Sequence, residues 1–264
     1  AKDYLWFMIA DKYGRDEASK LMPETCLLNY KKDLDLFKKN YNPNKFYILK
    51  KNLQRKQGIL ITKSLKEINK SIDDGFTVVQ KYIDSYLIKN RKINLRLYIL
   101  IICQNNEKQV FLNETGKCIY TNKDYDVHTY DKEVHITSYN LDQEVYDGRP
   151  LLLKELKEYF GEEIYNNLFD KIKLKLIKIF NASLKKLCKL KNIKKNRKFQ
   201  LFGADLIFDN DYEPYLLEFN KGPDMNSKSR VDKKLKINLL QDIFYLLGIS
   251  EQPEYHKNSF IKII

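Results

Sequence analysis

The sequence contains few of the residues that build disulfide frameworks and zinc sites. Its 264 residues include four cysteines and three histidines, with no CxxC pair and no HExxH segment. The cysteines are scattered, at Cys26, Cys103, Cys118 and Cys188. This spacing argues against zinc or a disulfide framework and favours a reducing, cytoplasmic compartment. We expect the histidines to be structural rather than catalytic.

Long apolar runs are also missing. No run approaches the roughly 20 residues that a membrane-spanning helix needs. The apolar stretch within the first residues, AKDYLWFMIADK, is too short for a signal peptide. The chain begins with Ala1 rather than Met, which suggests a trimmed product or a fragment. We therefore expect no membrane partner, and we expect a monomer.

The composition fits a folded protein with an acidic partner. Hydrophobic residues make up 43% of the chain, which argues against disorder although 31% of the residues are charged. The formal net charge of +13 indicates an acidic partner. Such a partner could be nucleic acid, an anionic membrane surface, a nucleotide or an acidic protein tail. No nucleic-acid recognition module is evident, so we expect no nucleic-acid partner.

Short strands outnumber helices along the chain. Residues up to about 45 look polar and broken, apart from a short helix at 31–40. The predicted strands are 46–50, 59–62, 77–82, 93–103, 110–112 and 118–120. The other predicted helices are 65–72, with Ser64 as its cap, 151–190 and 233–247. These strands are more than βαβ alternation requires, so we predict an α+β fold.

The stretch FQLFGADLIFDNDYEPYLLEFNKGP predicts a hairpin with polar side chains on its strands. Alternation allows Asp205 on the first strand to converge with Glu218 and Asn220 on the second. Two carboxylates and an amide suit Mg²⁺ that carries substrate phosphates. Alternatively, the strand pair has one solvated face, where carboxylates cost nothing. The hairpin alone leaves both interpretations open.

Three cations lie within predicted apolar strands, namely Lys50, Lys81 and Arg96. A single one is commonly an edge-strand lysine whose charged end reaches solvent. Three of them, beside a carboxylate hairpin, indicate a pocket for a polyphosphate and its metal. The loop LQRKQG could cover phosphates, but its single glycine, Gly58, makes that signal weak.

A dense basic run precedes the hairpin. It consists of Lys185, Lys186, Lys189, Lys191, Lys194, Lys195, Arg197 and Lys198. The run could hold an acidic protein tail beside the active site. It could equally be a solvated helix end in a lysine-rich chain.

Several segments in order resemble tubulin tyrosine ligase and its glutamylase and glycylase relatives, which are ATP-grasp enzymes. The segments are FYILK, QGILI, VVQKYI, RKINLRLYIL, FGADLIFD and YLLEFNKGP. The resemblance implies an ATP-grasp fold of two α+β lobes, with ATP and Mg²⁺ held between antiparallel sheets. It implies a residual N-terminal segment at 1–45, a central lobe at 46–91 and a C-terminal lobe at 92–264. Most of the N-terminal lobe of the family has no counterpart here.

The resemblance also implies roles for matching residues. It implies cofactor-binding roles for Lys50, Gln80, Lys81, Tyr82, Ile83, Lys92, Asn94 and Leu217. In this scheme Lys50 contacts phosphates, residues 80–83 read the adenine edge and Leu217 packs on the base. Lys92 lies near the ribose and Arg96 near the γ-phosphate. The implied catalytic residues are Arg96, Lys50 and Thr137, and the implied magnesium ligands are Asp205, Glu218 and Asn220.

Three positions depart from the pattern of the family. Asn94 replaces an aspartate that contacts ribose, and most glycines of the phosphate lid are replaced in LQRKQG. Tyr120 lies nearest to the position of an arginine that helps to hold the substrate carboxylate. The first departure implies a weaker ribose contact and the second a lid that closes differently. The Tyr120 departure puts the identity of the substrate in doubt rather than ATP binding.

The function implied by the resemblance is ATP-dependent ligation. A carboxylate of an acidic protein such as tubulin would be activated as an acylphosphate. The amine of a free amino acid would then displace phosphate, with glutamate favoured over tyrosine or glycine. The alternative is a degenerate, non-catalytic module that binds nucleotide or an acidic protein partner.

Overall fold

A computed structural model describes most of the chain. The described ranges are 4–51, 58–104, 107–138, 143–187, 198–251 and 256–264. The chain divides into two compact units, each assembled from separate segments. The first unit consists of 1–93, 120–145 and 207–217, and the second of 94–119, 146–206 and 218–264. The predicted segment at 1–45 and the predicted lobes at 46–91 and 92–264 are a different division of the chain, and that division stays a prediction.

The N-terminal segment is helical, contrary to the expectation of a broken polar stretch. Helices α1 (Tyr4–Tyr13) and α2 (Arg15–Leu21) meet at Gly14, whose φ is 83°. Helix α1 buries Trp6, Met8 and Ile9. The expectation was wrong because the run YLWFMIA is apolar throughout, so it shows no alternation of apolar and polar residues with a helical period.

The first unit contains a four-stranded sheet with antiparallel pairing. In spatial order its strands are β1 (Thr25–Leu27), β4 (Val78–Lys81), β2 (Tyr47–Lys50) and β3 (Ile59–Thr62). Three of these strands were predicted to within a residue at each end. Strand β1 was missed because it has only three residues.

Two helices belong to the core of this unit. Helix α3 (Lys31–Lys39) and helix α4 (Leu65–Asp73) follow the predicted ranges closely. The predicted cap of α4 is confirmed, since Ser64 Oγ accepts a hydrogen bond from the Glu67 N–H at 3.3 Å. The apolar core combines sheet and helix side chains, among them Phe37, Tyr47, Leu49, Ile68 and Val79.

The larger sheet has six strands. In spatial order the main path is β10 (Phe260–Lys262), β7 (Glu107–Tyr120), β6 (Arg91–Gln104), β8 (Lys198–Phe208) and β9 (Pro214–Lys221). The short strand β5 (Leu87–Ile88) pairs with β6. With its two antiparallel sheets the fold is α+β, as predicted.

Strand β7 corrects the sequence prediction. We expected two short strands, but one strand runs through the polar residues between them. Asn113 lies opposite Phe260 of β10, so pairing continues where the apolar pattern stops. Register with a neighbouring strand therefore overrides local composition here.

The helical region after β7 is also divided. Helices α6 (Leu153–Phe160) and α7 (Glu162–Leu187) replace the single predicted region, because Gly161 with a φ of 81° separates them. Between β7 and α6, where no element was predicted, helix α5 (Lys132–His135) and a 3₁₀ turn (Gln143–Tyr146) form. Helix α8 (Arg230–Leu246) begins three residues before the predicted start.

One face of β6 packs against α8 in the second unit. The buried residues of this core are Tyr98, Leu100, Ile102, Leu235, Leu239, Ile243, Leu247 and Phe260. Side chains alternate along a strand, so Arg96 lies on the same face of β6 as Tyr98 and Leu100. The packing of α8 thus fixes the strand that presents Arg96.

The cysteines and the longer helices bear on two further expectations. Cys26 and Cys118 are buried free thiols, whereas Cys103 is disulfide-bonded, which the scattered spacing did not predict. Among the described residues, no helix combines the length and the apolar character needed to cross a membrane.

Candidate active site

The predicted hairpin brings polar side chains together in the second unit. Arg96 on β6 holds Asp205 on β8 with two hydrogen bonds, from Nε to Oδ1 at 2.5 Å and from Nη2 to Oδ2 at 2.9 Å. Asn220 on β9 donates from Nδ2 to Asp205 Oδ2 at 3.0 Å. The convergence of Asp205 and Asn220 that alternation predicted is therefore present. The ion pair with Arg96 was not predicted.

Glu218 shares a face of β9 with Asn220, two residues further along the strand. Burial raises the pKa of Asp205, and the charge of Glu218 raises it further, while Arg96 and Asn220 act in the opposite direction. The net pKa of Asp205 lies above its ordinary value. The carboxylates of Asp205 and Glu218 repel one another in a partly buried environment, and a cation beside them would reduce this repulsion.

The donor set fits a magnesium ion chemically. Because Nδ2 of Asn220 is directed to Asp205, its Oδ1 is the atom left to act as a ligand. With Asp205 and Glu218 the available donors are all oxygens, as Mg²⁺ prefers. Within the described residues, no three His, Cys, Asp or Glu side chains form a metal-binding group. The predicted set has only two carboxylates, so a third ligand would have to be the amide.

Two glycines allow the Arg96 region to pack closely. A Cβ at Gly203 would lie 3.1 Å from Pro223 Cβ and 3.2 Å from Arg96 Cδ. A Cβ at Gly116 would lie 2.6 Å from the Arg96 carbonyl oxygen. The Arg96 side chain thus packs against Gly203, and the Arg96 backbone packs against Gly116. A larger side chain at either position would displace Arg96.

The first unit contains the predicted adenine hinge, Gln80 to Ile83. Gln80 is buried and donates from Nε2 to Thr25 Oγ1 at 2.8 Å, so its side chain ties β4 to β1. Lys81 is exposed, and its N–H donates to the Glu24 carbonyl at 2.9 Å. The hinge is therefore held by its neighbours on the β1 side, and the Lys81 side chain is open to solvent.

Lys92 is the most unusual cation of the first unit. Its side chain is buried, and Nζ donates to the Ile83 carbonyl at 3.2 Å. Nζ also lies 3.7 Å from the centre of the Tyr82 ring. Burial lowers the pKa of Lys92 to about 7. Lys92 thus contacts two hinge residues directly, and its place beside the ribose stays a prediction.

His135 links the hinge to the segment that carries Thr137. Its Nε2 lies 2.7 Å from the Thr129 carbonyl, which can only accept, so this nitrogen carries the proton. Nδ1 therefore accepts from the Tyr82 hydroxyl at 2.7 Å. Burial lowers the pKa of His135 and raises that of Tyr82, which keeps this arrangement neutral. His135 was expected to be structural, and no pattern in the sequence around it indicates its contact with the hinge.

The other residues that the sequence singled out are half-buried or buried. Thr137 is half-buried and forms an isolated β-bridge with Thr121. Lys50 is half-buried on β2 and Leu217 is half-buried on β9. Tyr120 is fully buried, so it does not replace the substrate-holding arginine with an exposed polar group.

Asn94 presents a buried atom that requires explanation. Its side chain is 9% exposed, and Oδ1 has no hydrogen-bond partner in the described part of the chain. An unsatisfied buried acceptor costs about 1–3 kcal/mol. A hydrogen-bond donor of a bound ligand would satisfy it, and the ribose contact of Asn94 stays a prediction. The LQRKQG loop up to residue 57, and residues 188–197 of the basic run, lie outside the described residues.

The two antiparallel sheets and these residue groups define an α+β protein of the ATP-grasp type. The model of the tubulin-tyrosine ligase family matches residues 1–258. The chain therefore belongs to the tubulin-tyrosine ligase family, whose members are ATP-dependent ligases.

Curated relatives carry names of tubulin-modifying enzymes. The chain is 27% identical to the tubulin polyglutamylase ttll-4 of Caenorhabditis briggsae, over 97% of this chain and 45% of that protein. It is 29% identical to a probable beta-tubulin polyglutamylase of Tetrahymena thermophila, over 87% of this chain and 21% of that protein. It is 28% identical to the tubulin glycylase 3D of the same organism, over 80% and 22%. The chain spans less than half the length of these three relatives.

Proposed function

We propose that this protein is an ATP-dependent amino-acid ligase that extends a carboxylate of an acidic protein such as tubulin. The observation that carries the proposal is the group formed by Arg96, Asp205 and Asn220, with Glu218 on the same strand as Asn220. Family membership and the names of the relatives support the same reaction class. We propose glutamate as the added amino acid ahead of tyrosine or glycine, because polyglutamylases are prominent among these relatives.

The proposed ATP-binding residues keep the roles that the resemblance to the family implies. Lys50 and Arg96 would contact phosphates, while residues 80–83 and Leu217 would hold the base. Asn94 Oδ1 and Lys92 Nζ would contact the sugar and its neighbouring phosphate oxygens. The buried, unsatisfied Oδ1 of Asn94 and the contact of Lys92 with the hinge support these assignments.

Magnesium is the proposed metal, held by Asp205, Glu218 and Asn220. When bound, it would neutralise charge on the phosphates that the reaction separates. Asp205 has a second task in this scheme, since its two oxygens orient the Arg96 guanidinium. In this scheme the Arg96 guanidinium would stabilise the charge of the transferred phosphoryl group, for which a planar donor fork is suited.

The proposed reaction has two steps. A carboxylate oxygen of the protein substrate attacks the γ-phosphorus of ATP, and the bond from that phosphorus to ADP breaks. The resulting acylphosphate is then attacked at its carbonyl carbon by the amine of the amino acid. Phosphate leaves, and the nitrogen loses a proton as the amide forms. The chain contributes positioning and charge stabilisation, with Thr137 near the transferred phosphate, and no covalent intermediate of its own.

A second candidate function is nucleotide binding without turnover. The complete burial of Tyr120 favours it, since no replacement for the substrate-holding arginine is visible at that position. The convergence of Arg96, Asp205 and Asn220 favours the ligase. A cytoplasmic, monomeric protein that does not bind nucleic acid or membranes remains part of the proposal.

Chromatographic detection of ADP distinguishes the two functions. The chain is incubated with ATP, Mg²⁺, glutamate and a glutamate-rich acceptor peptide, and each component is omitted in turn. A ligase releases ADP only when the acceptor is present, and amide product requires the amino acid. Nucleotide binding without any ADP release would support the second candidate and contradict the first.

A further inference from the structure

Asp232 on α8 lies at the centre of a buried polar cluster in the second unit. Its Oδ1 accepts from Lys117 Nζ at 2.6 Å, and its Oδ2 accepts from Lys236 Nζ at 3.0 Å. All three side chains are at most 7% exposed. The sequence analysis did not single out any of them, although Asp232 and Lys236 have the spacing of an i, i+4 ion pair.

The same carboxylate fixes the loop that follows β9. The Lys228 N–H donates to Asp232 Oδ2 at 3.0 Å, and Lys236 Nζ also donates to the Asn226 carbonyl. Ser229 caps α8, since its Oγ accepts from the Asp232 N–H at 3.1 Å. Asp232 and its partners therefore hold the backbone of this loop at 226 and 228 and the side chain of Ser229.

The other end of this loop reaches the candidate site. Asn220 and Gly222 are two residues apart, and the Gly222 N–H donates to the Leu201 carbonyl at 3.4 Å. Pro223 packs where a Cβ of Gly203 would stand, beside the stem of Arg96. The loop 222–229 thus connects the Asp232 cluster to the strand end that carries Asn220 and to the packing of Arg96.

We propose that Asp232 is a positioning residue that acts through loop 222–229 to hold Asn220 and Arg96 in their working arrangement. This proposal rests on the proposed function, because it assigns Asp232 to the same reaction. Burial alone would raise the pKa of Asp232, but the hydrogen bonds from Lys117, the Lys228 N–H and Lys236 outweigh it and lower the pKa. The carboxylate is therefore charged at neutral pH and can hold both cations and the loop.

The first test uses the nucleotide-free chain and hydrogen exchange measured by mass spectrometry. Asp232→Asn removes the charge that holds Lys117 and Lys236, and the amides of 222–229 should exchange at least about 10-fold faster. Asp242→Asn is the matched control, since Asp242 is a buried carboxylate on the same helix that binds Ser259 N–H and His256. It should leave 222–229 protected. Equal protection of 222–229 in wild type and Asp232→Asn would overturn the proposal.

The second test separates positioning from general stability. Asp232→Asn leaves two lysines buried without their carboxylate, which destabilises the fold. Adding Lys117→Met removes one of those charges and should recover much of the stability. Ligation by the double variant should still require an about 10-fold higher Mg²⁺ concentration for half-maximal rate, as expected for a lost supporting contact. If turnover recovers together with stability, Asp232 is structural only.

The two tests also distinguish a failure of the positioning role of Asp232 from a failure of the ligase assignment. If the wild type shows no turnover, the ligase assignment fails, while hydrogen exchange of loop 222–229 still reports whether Asp232 holds the loop. If the wild type is active and the loop loosens without any change in Mg²⁺ dependence, the ligase assignment stands and the positioning role is overturned.

Discussion

At the residue scale, Arg96 combines an observed structural role, the pairing with Asp205, with a proposed catalytic role. Its side chain is 12% exposed, and its guanidinium group donates to both carboxylate oxygens of Asp205. A lysine at this position would keep the charge but could not reproduce the two parallel hydrogen bonds. The geometry of Asp205, a proposed magnesium ligand, therefore depends on the planar shape of its partner as well as on its charge.

We predict that Arg96→Lys lowers ligation turnover by about 100-fold, as the loss of an oriented donor commonly does. The dissociation constant for ATP should change much less, because the base and sugar contacts are retained. Steady-state kinetics and calorimetric titration with ATP measure the two effects. Unchanged affinity and unchanged turnover would mean that Arg96 is a packed structural residue.

Lys92 provides a pH test at the same scale. Its pKa is lowered by burial from 10.5 to about 7 in the folded chain. Between these values the unfolded chain binds a proton that the folded chain does not, so stability rises with pH. This contribution is gained from about pH 7 upward and is complete near the pKa of the unfolded lysine.

Urea unfolding at several pH values compares the wild type with Lys92→Met. The difference in free energy of unfolding should increase in favour of the wild type by up to about 1.4 kcal/mol per pH unit above pH 7. Lys81→Met is the control, since that lysine is exposed in the neighbouring hinge. A difference for Lys92→Met that stays constant with pH contradicts the buried placement of the amine.

At the scale of elements, the glycines beside Arg96 decide how closely the strands approach. A Cβ at Gly116 would meet backbone, at 2.6 Å from the Arg96 carbonyl oxygen. A Cβ at Gly203 would meet side-chain atoms of Pro223 and Arg96 at just over 3 Å. The first contact requires backbone movement, whereas the second requires a smaller shift of side chains.

We predict different consequences for the two alanine substitutions. Gly116→Ala should destabilise the fold by about 1–3 kcal/mol, because overpacking against backbone is costly. Gly203→Ala should cost less stability but lower turnover several-fold by displacing the Arg96 side chain. Thermal unfolding and steady-state turnover of both variants measure this. If Gly203→Ala loses stability and activity in the same proportion as Gly116→Ala, the site does not depend on the Pro223 contact.

Much of this architecture could be predicted from the sequence. The hairpin and the convergence of Asp205 with Asn220 follow from strand alternation and turn residues, both local signals. Strand β1 and helices α1 and α2 could not be predicted, because they are short and stabilised by tertiary packing, as the burial of Trp6 shows. The contacts of Asp205 with Arg96 and of Asp232 with Lys117 join residues more than a hundred positions apart.

At the scale of the whole molecule, the net charge of +13 is the feature that bears on the substrate. Part of it lies in the basic run between Lys185 and Lys198, most of which is outside the described residues. If this run captures an acidic tail, the attraction acts between exposed charges. Such an attraction is screened over a Debye length of about 8 Å at physiological salt.

We predict that replacing Lys189, Lys191, Lys194 and Lys195 with Ser weakens ligation of a long acidic peptide, mainly through slower association. ATP binding and ligation of a short acceptor should persist. Added salt should reproduce the defect in the wild type. Equal activity of variant and wild type on the long peptide at low salt would make the run an ordinary solvated surface.

The proposed function is the ATP-dependent ligation of an amino acid to a carboxylate of an acidic protein. Intact-mass spectrometry of tubulin and of glutamate-rich peptides, incubated with the chain, ATP, Mg²⁺ and mixed amino acids, tests it most directly. We predict that the mass of the acceptors increases by whole glutamate residues and that this increase requires ATP. Glu218→Gln should lower the amount of product by about 100-fold. Acceptors of unchanged mass after incubation with folded, ATP-binding wild-type chain would contradict the claim.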